Sequence, residues 1–174
     1  MKKLHRLFLG LSIIIIGLAG YLVVEANSSD GEFVSMSHAG AQDELFDEHD
    51  RVYIGKKLKW TGDELPEIND IRIITDQGQV LSADHSDINI QTYVDETNQT
   101  NVIYKYSEEN RQIIDSYKSM QNYQLKAPYI TLVFEVQLLN SKYQYDLETF
   151  EIDYELEGQT EAQQLVLENF IFHR

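Results

Sequence analysis

Residues 129–139, Tyr-Ile-Thr-Leu-Val-Phe-Glu-Val-Gln-Leu-Leu, and residues 147–156, Leu-Glu-Thr-Phe-Glu-Ile-Asp-Tyr-Glu-Leu, decide the fold class. In the first, Ile130, Leu132, Phe134, Val136 and Leu138 alternate with Thr131, Glu135 and Gln137. In the second, Phe150, Ile152, Tyr154 and Leu156 alternate with Glu151, Asp153 and Glu155. Successive side chains of a strand point to opposite faces, so both stretches read as half-buried β-strands. The register expects Phe134 and Ile152 on inward faces of adjacent strands and Glu135 and Asp153 in solvent, where they tolerate substitution. After the connection Asn140–Asp146 and the turn at Gly158, residues 164–172 carry apolar side chains on both faces, which implies a central or covered strand.

Working toward the N-terminus, residues 52–60, 70–75, 79–81, 88–94 and 101–106 are rich in β-branched and aromatic residues and are separated by polar clusters. Asp76-Gln77-Gly78 reads as a hairpin turn. Residues 108–123 break the trend, because Ile113, Tyr117 and Met120 recur at helical spacing behind Ser107, a candidate N-cap. Seven or eight short strands with one helical insertion predict an all-β, immunoglobulin-like two-sheet sandwich over residues 51–174. No internal repeat is present.

Tyr129 to Val136, then Asn140-Ser141, then Phe150 to Tyr154 resemble exported immunoglobulin-like domains of Gram-positive bacterial envelope proteins, in which a long apolar strand ends in an Asn-rich turn before a strand carrying Phe. The resemblance covers about a quarter of the chain and implies an extracytoplasmic β-sandwich. It transfers no site residue. The lipoprotein members of that group have an acylated cysteine, and this chain has none.

Residues 7–24 are an unbroken run of eighteen uncharged, mostly apolar residues, preceded by Lys2, Lys3 and Arg6 and ended by Glu25. That charge order directs the N-terminus to the cytoplasm and the chain beyond the apolar run to the outside. The length suits a transmembrane helix better than a signal-peptide core, whereas Val24-Glu25-Ala26 offers small residues for cleavage after Ala26. Residues 1–26 therefore read as cytoplasmic tip plus transmembrane anchor, with a signal segment and secretion as the alternative.

Setting aside Glu25, Lys2, Lys3 and Arg6 leaves 28 acids against 11 bases from Asn27 onward, a net charge of −17. Such a domain is repelled by phosphodiesters and anionic head groups, so nucleic acid is excluded as a partner and direct lipid docking is disfavoured. Basic proteins or cations fit better, although the charge is also what keeps an exported domain soluble. With no cysteine, stability outside the cell must come from the core. Residues 27–50 hold seven acids and no lysine or arginine, which predicts an acidic flexible stalk on which the domain floats clear of the bilayer; Leu45 and Phe46 could form a short helix against it.

The candidate chemistry is sparse. Glu48-His49-Asp50 and Asp84-His85-Ser86-Asp87 group possible cation ligands without zinc or EF-hand spacing, so solvated loop charge is the simpler reading. Tyr104 and Tyr106 would share a strand face and could stack on sugars, but tyrosine is also an ordinary strand residue. Trp60 reads as core beside Leu58. Lys56, Lys57 and Lys59 with Arg51 are the one basic concentration, and read as guards of an exposed sheet edge rather than a contact for anionic wall polymer. No nucleophile elbow, catalytic cysteine or zinc-protease motif is present, and no residue is assigned a catalytic, cofactor-binding or metal role.

Three functions remain open. The first is a non-catalytic, membrane-anchored binding or interaction module of the cell envelope with a protein partner there. The second is an immunity-type protein that neutralises a basic toxin or lytic enzyme outside the cell, and the third is a carboxylate-dependent envelope hydrolase. The oligomeric state is not legible.

Overall fold

A computed structural model describes residues 31–140 and 147–172. The anchor or signal segment, Asn27 to Asp30 and most of the expected 140–146 connection lie outside the described residues. Among those described, no helix is long and apolar enough to cross a membrane.

The strands are β1 (Phe33–Ser35), β2 (Ala41–Gln42), β3 (Val52–Trp60), β4 (Glu67–Thr75), β5 (Ile88–Asp95), β6 (Val102–Ile103), β7 (Lys118–Ser119), β8 (Tyr123–Gln124), β9 (Tyr129–Leu138), β10 (Leu147–Leu156), β11 (Gln159–Val166) and β12 (Ile171–Phe172). The helices are α1 (Leu45–Glu48) and α2 (Glu108–Asp115). One sheet has the order β1-β3-β9-β5-β7, with β6 also on β3; the other has the order β11-β10-β4-β8. β2 and β12 form a separate parallel pair. All pairings within the two larger sheets are antiparallel, and their apolar faces meet in one core, so the domain is a β-sandwich.

β9 and β10 have the expected period, and Phe134 and Ile152 are both fully buried. They do not lie on adjacent strands. β9 belongs to one sheet and β10 to the other, so the two apolar rows meet across the sandwich, with the Phe134 and Phe150 ring centroids 5.6 Å apart in a T-shaped contact. Glu157 (φ 52°) and Gly158 (φ 78°) form the loop between Leu156 and Gln159, a two-residue turn whose positive φ angles match the strand twist. β11 therefore returns along β10 and ends at the sheet edge, half exposed, instead of running as a covered strand to residue 172. Of the apolar residues that suggested coverage, Leu165 and Val166 lie on β11 itself, and Leu167 and Phe170 turn into the core from the irregular segment beyond its end.

The hairpin at Asp76 to Gly78 forms as expected, closed by the Gly78 N–H to the Thr75 carbonyl and by the isolated bridge between Ile74 and Val80. Ser107 caps α2, its Oγ accepting from the Asn110 N–H at 3.1 Å. The helix stops at Asp115, where Ser116 bonds back to the Ile113 and Ile114 carbonyls. Met120 is then buried from an extended segment rather than from a helix.

Residues 31–50 are not a stalk. Phe33 packs its ring 4.9 Å from Trp60 and 5.6 Å from Tyr154, and β1 pairs along Trp60, Lys59 and Leu58. Ala41 is buried, and Leu45 and Phe46 of α1 pack on the core. Acid-rich composition misleads here because four apolar residues, placed where backbone partners are available, suffice to hold the segment.

Candidate functional site

The lysine group is dispersed by the sheet. β3 is paired on both sides, by β1 and by β9, so no edge exists for its lysines to guard. Val52, Ile54, Leu58 and Trp60 face the core, and the same alternation carries Lys56 inward, where it is 2% exposed. Its stem runs through the core and its ammonium donates to the Glu168 carbonyl at 3.3 Å, 5.8 Å from the Phe170 ring centroid. Burial lowers its pKa, and Glu168 opposes that shift. Lys56 thus pins the segment between β11 and β12 from beneath. Because burial disfavours the ammonium, Lys56→Met is expected to leave stability unchanged or raised, whereas Lys56→Ala, which also empties the stem's volume, lowers it by about 1 to 3 kcal/mol. Thermal denaturation of the two variants checks the contrast.

The outer face of the six-stranded sheet is not uniformly solvated. Ile113 and Ile114 of α2 cover part of it, enclosing Tyr53, Ile103 and Val133 with Tyr93 and Tyr117. Tyr117 lies 5.9 Å from Tyr53 and 6.1 Å from Tyr93. Glu135, expected in solvent, is 8% exposed beneath these rings and accepts from Arg51 Nη1 at 2.6 Å. Tyr53 stands opposite Glu135 in the β3–β9 ladder and belongs to the cluster on which α2 packs. Desolvation, then the nearby Glu135 charge, raises the Tyr53 and Tyr93 pKa values. Tyr104 and Tyr106 separate, since β6 ends at Ile103: Tyr104 packs against the main core and 5.2 Å from the His49 ring, and Tyr106 stands at the rim, 6.5 Å from Tyr53.

Beside this cluster, Asp95, the last residue of β5, is fully buried at the start of the β5–β6 loop. Its carboxylate accepts from the backbone N–H of Thr97, Gln99 and Thr100, each at 2.8 Å, and from both threonine hydroxyls. Burial alone would raise its pKa; the donors outweigh that and hold it below the ordinary carboxylate range. Thr100 Oγ1 lies 2.8 Å from the Tyr117 hydroxyl, whose pKa burial pushes up to about 12. This network shapes the loop.

The Asp84 to Asp87 group, read from the sequence as loop charge, lies in the turn before β5. His85 Nδ1 accepts from the Asp87 N–H at 3.3 Å, and Asp87 Oδ1 accepts from the Asn140 amide at 2.9 Å. Among the described residues no three His, Cys, Asp or Glu side chains converge closely enough to hold a metal ion. A groove of about 510 Å³ opens beside β4, lined by Asn69, Asp70, Ile71, Ile90, Thr92 and residues 119–121, with Asp70 its one carboxylate.

The outer face of the four-stranded sheet is different in kind. Across β4 and β10, Arg72 lies opposite Glu151, Asp70 opposite Asp153, and Glu67 opposite Glu155. Arg72 spans Glu151 and Asp153, reaching the latter at 2.7 Å. The other two rows place acid against acid. Directly opposed like charges destabilise a sheet, so these two rows, within a stripe of five carboxylates and one guanidinium, oppose folding. Alternation in β10 shows three of the acids in the sequence; the partners on β4 are visible only once register is known. No protein-family description, curated protein or solved structure matches the chain.

Proposed function

We propose that the chain is a membrane-anchored, extracytoplasmic binding module of the cell envelope, non-catalytic, that docks a basic protein through the acidic outer face of β4 and β10. The observation that carries this reading is the pair of facing acidic rows, Asp70 with Asp153 and Glu67 with Glu155. Charge needed only for solubility can sit anywhere on a surface, and it gains nothing from being placed like against like across a ladder. The eighteen-residue apolar run behind three basic residues supports the anchor and the outward orientation. The strand orders β1-β3-β9-β5 and β11-β10-β4 correspond to A-B-E-D and G-F-C of an immunoglobulin-type sandwich, which supports the finer fold reading.

A crosslinking amino acid placed at Ala162, which lies opposite Asp153 and is exposed, tests the docking face in intact cells. The expected result is capture of a protein of high isoelectric point, weakened by salt, with none captured from Gln91 on the other sheet. Equal yields from both positions would count against the assignment. The same face favours the immunity-type reading if the captured protein is a basic toxin or lytic enzyme, and survival of a deletion strain challenged with that protein separates the two. A hydrolase needs two carboxylates converging on a cavity, which the groove beside β4 does not offer among its lining residues.

A further inference from the structure

The opposite face of the sandwich carries a small patch of reversed character at its edge. β1 is the outermost strand of the six-stranded sheet, with Val34 opposite Lys59, and Lys59 opposite Tyr129 on β9. One step along, the Met36 N–H donates to the Lys57 carbonyl at 2.8 Å. Val34, Met36, Lys57, Lys59 and Tyr129 therefore share one surface, since side chains two apart on each strand point the same way. Val34, Met36 and Tyr129 are 39%, 56% and 52% exposed. The Lys59 ammonium lies 6.0 Å from the Tyr129 ring centroid. Neither Lys57 nor Lys59 forms an ion pair among the described residues, in a domain whose net charge is strongly negative.

Chain length sets where this patch can go. The apolar run ends at Val24 and β1 begins at Phe33, which leaves residues 25–32 between them. Eight residues reach at most about 29 Å fully extended, and about 16 Å as a root-mean-square coil. Of the stalk expected over residues 27–50, residues 31–50 are folded into the domain.

We propose that Val34, Met36, Lys57, Lys59 and Tyr129 rest on the anionic lipid surface of the membrane that residues 7–24 enter, an inference that rests on the anchor reading above. Lysines attract phosphate head groups, while exposed aliphatic side chains and a tyrosine ring suit the head-group boundary and would gain nothing from a soluble polyanion. The short tether keeps the patch at high effective concentration over the bilayer. The acidic face lies on the far side of the sandwich, beyond a physiological Debye length of about 8 Å, so its repulsion from the membrane is screened. In this orientation the acidic face points away from the membrane, toward a partner.

The absence of cysteine makes single labels unambiguous. Full-length Met36→Cys and Val166→Cys variants, each carrying an environment-sensitive fluorophore, are reconstituted into vesicles of phosphatidylcholine with or without phosphatidylglycerol, floated, and exposed to the neutral quencher acrylamide. Position 36 is expected to be quenched several-fold less with phosphatidylglycerol than without, position 166 equally in both, and Lys57→Glu with Lys59→Glu should abolish the difference. Equal quenching at position 36 in floated vesicles, or equal protection at 166, would overturn the docking inference and leave the anchor standing. Loss of protection on adding free poly(glycerol phosphate) would assign the patch to anionic polymer and overturn the lipid assignment. A chain that does not float removes the anchor, and the docking inference with it.

Discussion

Phe134→Ala is expected to destabilise the domain by about 3 to 5 kcal/mol, the largest loss from any single truncation in the core. Phe134 is fully buried and makes T-shaped ring contacts with Phe150 on the facing sheet and Phe170 after β11, at 5.6 and 5.3 Å. Removing it opens a cavity where both sheets and the C-terminal segment meet. With a domain stability of about 5 to 15 kcal/mol, the melting temperature should fall by about 10 °C or more. Thermal denaturation followed by circular dichroism measures it; a fall of under about 2 °C would mean the two sheets do not close on this residue.

Asp95→Ala is expected to cost a comparable amount, about 3 to 5 kcal/mol, for a different reason. The variant leaves five donors around one loop without their acceptor, the two on Thr100 buried, and the penalty for orphaned buried donors exceeds the net value of the bonds themselves. The same residue sets an acid dependence. Its folded pKa lies below the unfolded one, so its contribution is fully present above the ordinary carboxylate value of about 4 and is lost as pH falls through the folded pKa. Asp95→Asn should therefore show a shallower loss of stability below pH about 4 than the parent. Parallel acid titrations of parent and variant would contradict the assignment.

How much the sequence disclosed depends on which interactions are local. The inward rows of β9 and β10 were legible because period two over ten residues has one simple cause, a sheet with one dry face. Lys56 carried the same signal, since Val52, Ile54, Leu58 and Trp60 bracket it at even spacing, but its charge suggested solvent and hid the position. Glu135 could not be placed from its own strand: Arg51 pairs with it and Tyr53 stands opposite it on β3, and only tertiary packing reveals that. Phe33 and Ala41 are isolated among acids, so their docking onto β3 and the C-terminal segment left no periodic trace. The acidic face was half visible, because β10 shows its own acids while the opposing Glu67 and Asp70 depend on a register interrupted by a bulge between Asp153 and Tyr154.

The most direct measurement is the paired effect of Asp70→Asn and Glu155→Gln, combined in one chain, on stability and on partner capture. Each substitution removes one member of a facing acidic pair and leaves the Arg72 contacts in place. If the face is held for docking at the expense of the fold, the variant gains about 0.5 to 1 kcal/mol, its melting temperature rises by about 2 to 4 °C, and capture of the basic partner from Ala162 falls. An unchanged or lower melting temperature with undiminished capture would show that these carboxylates neither strain the sheet nor recognise a partner.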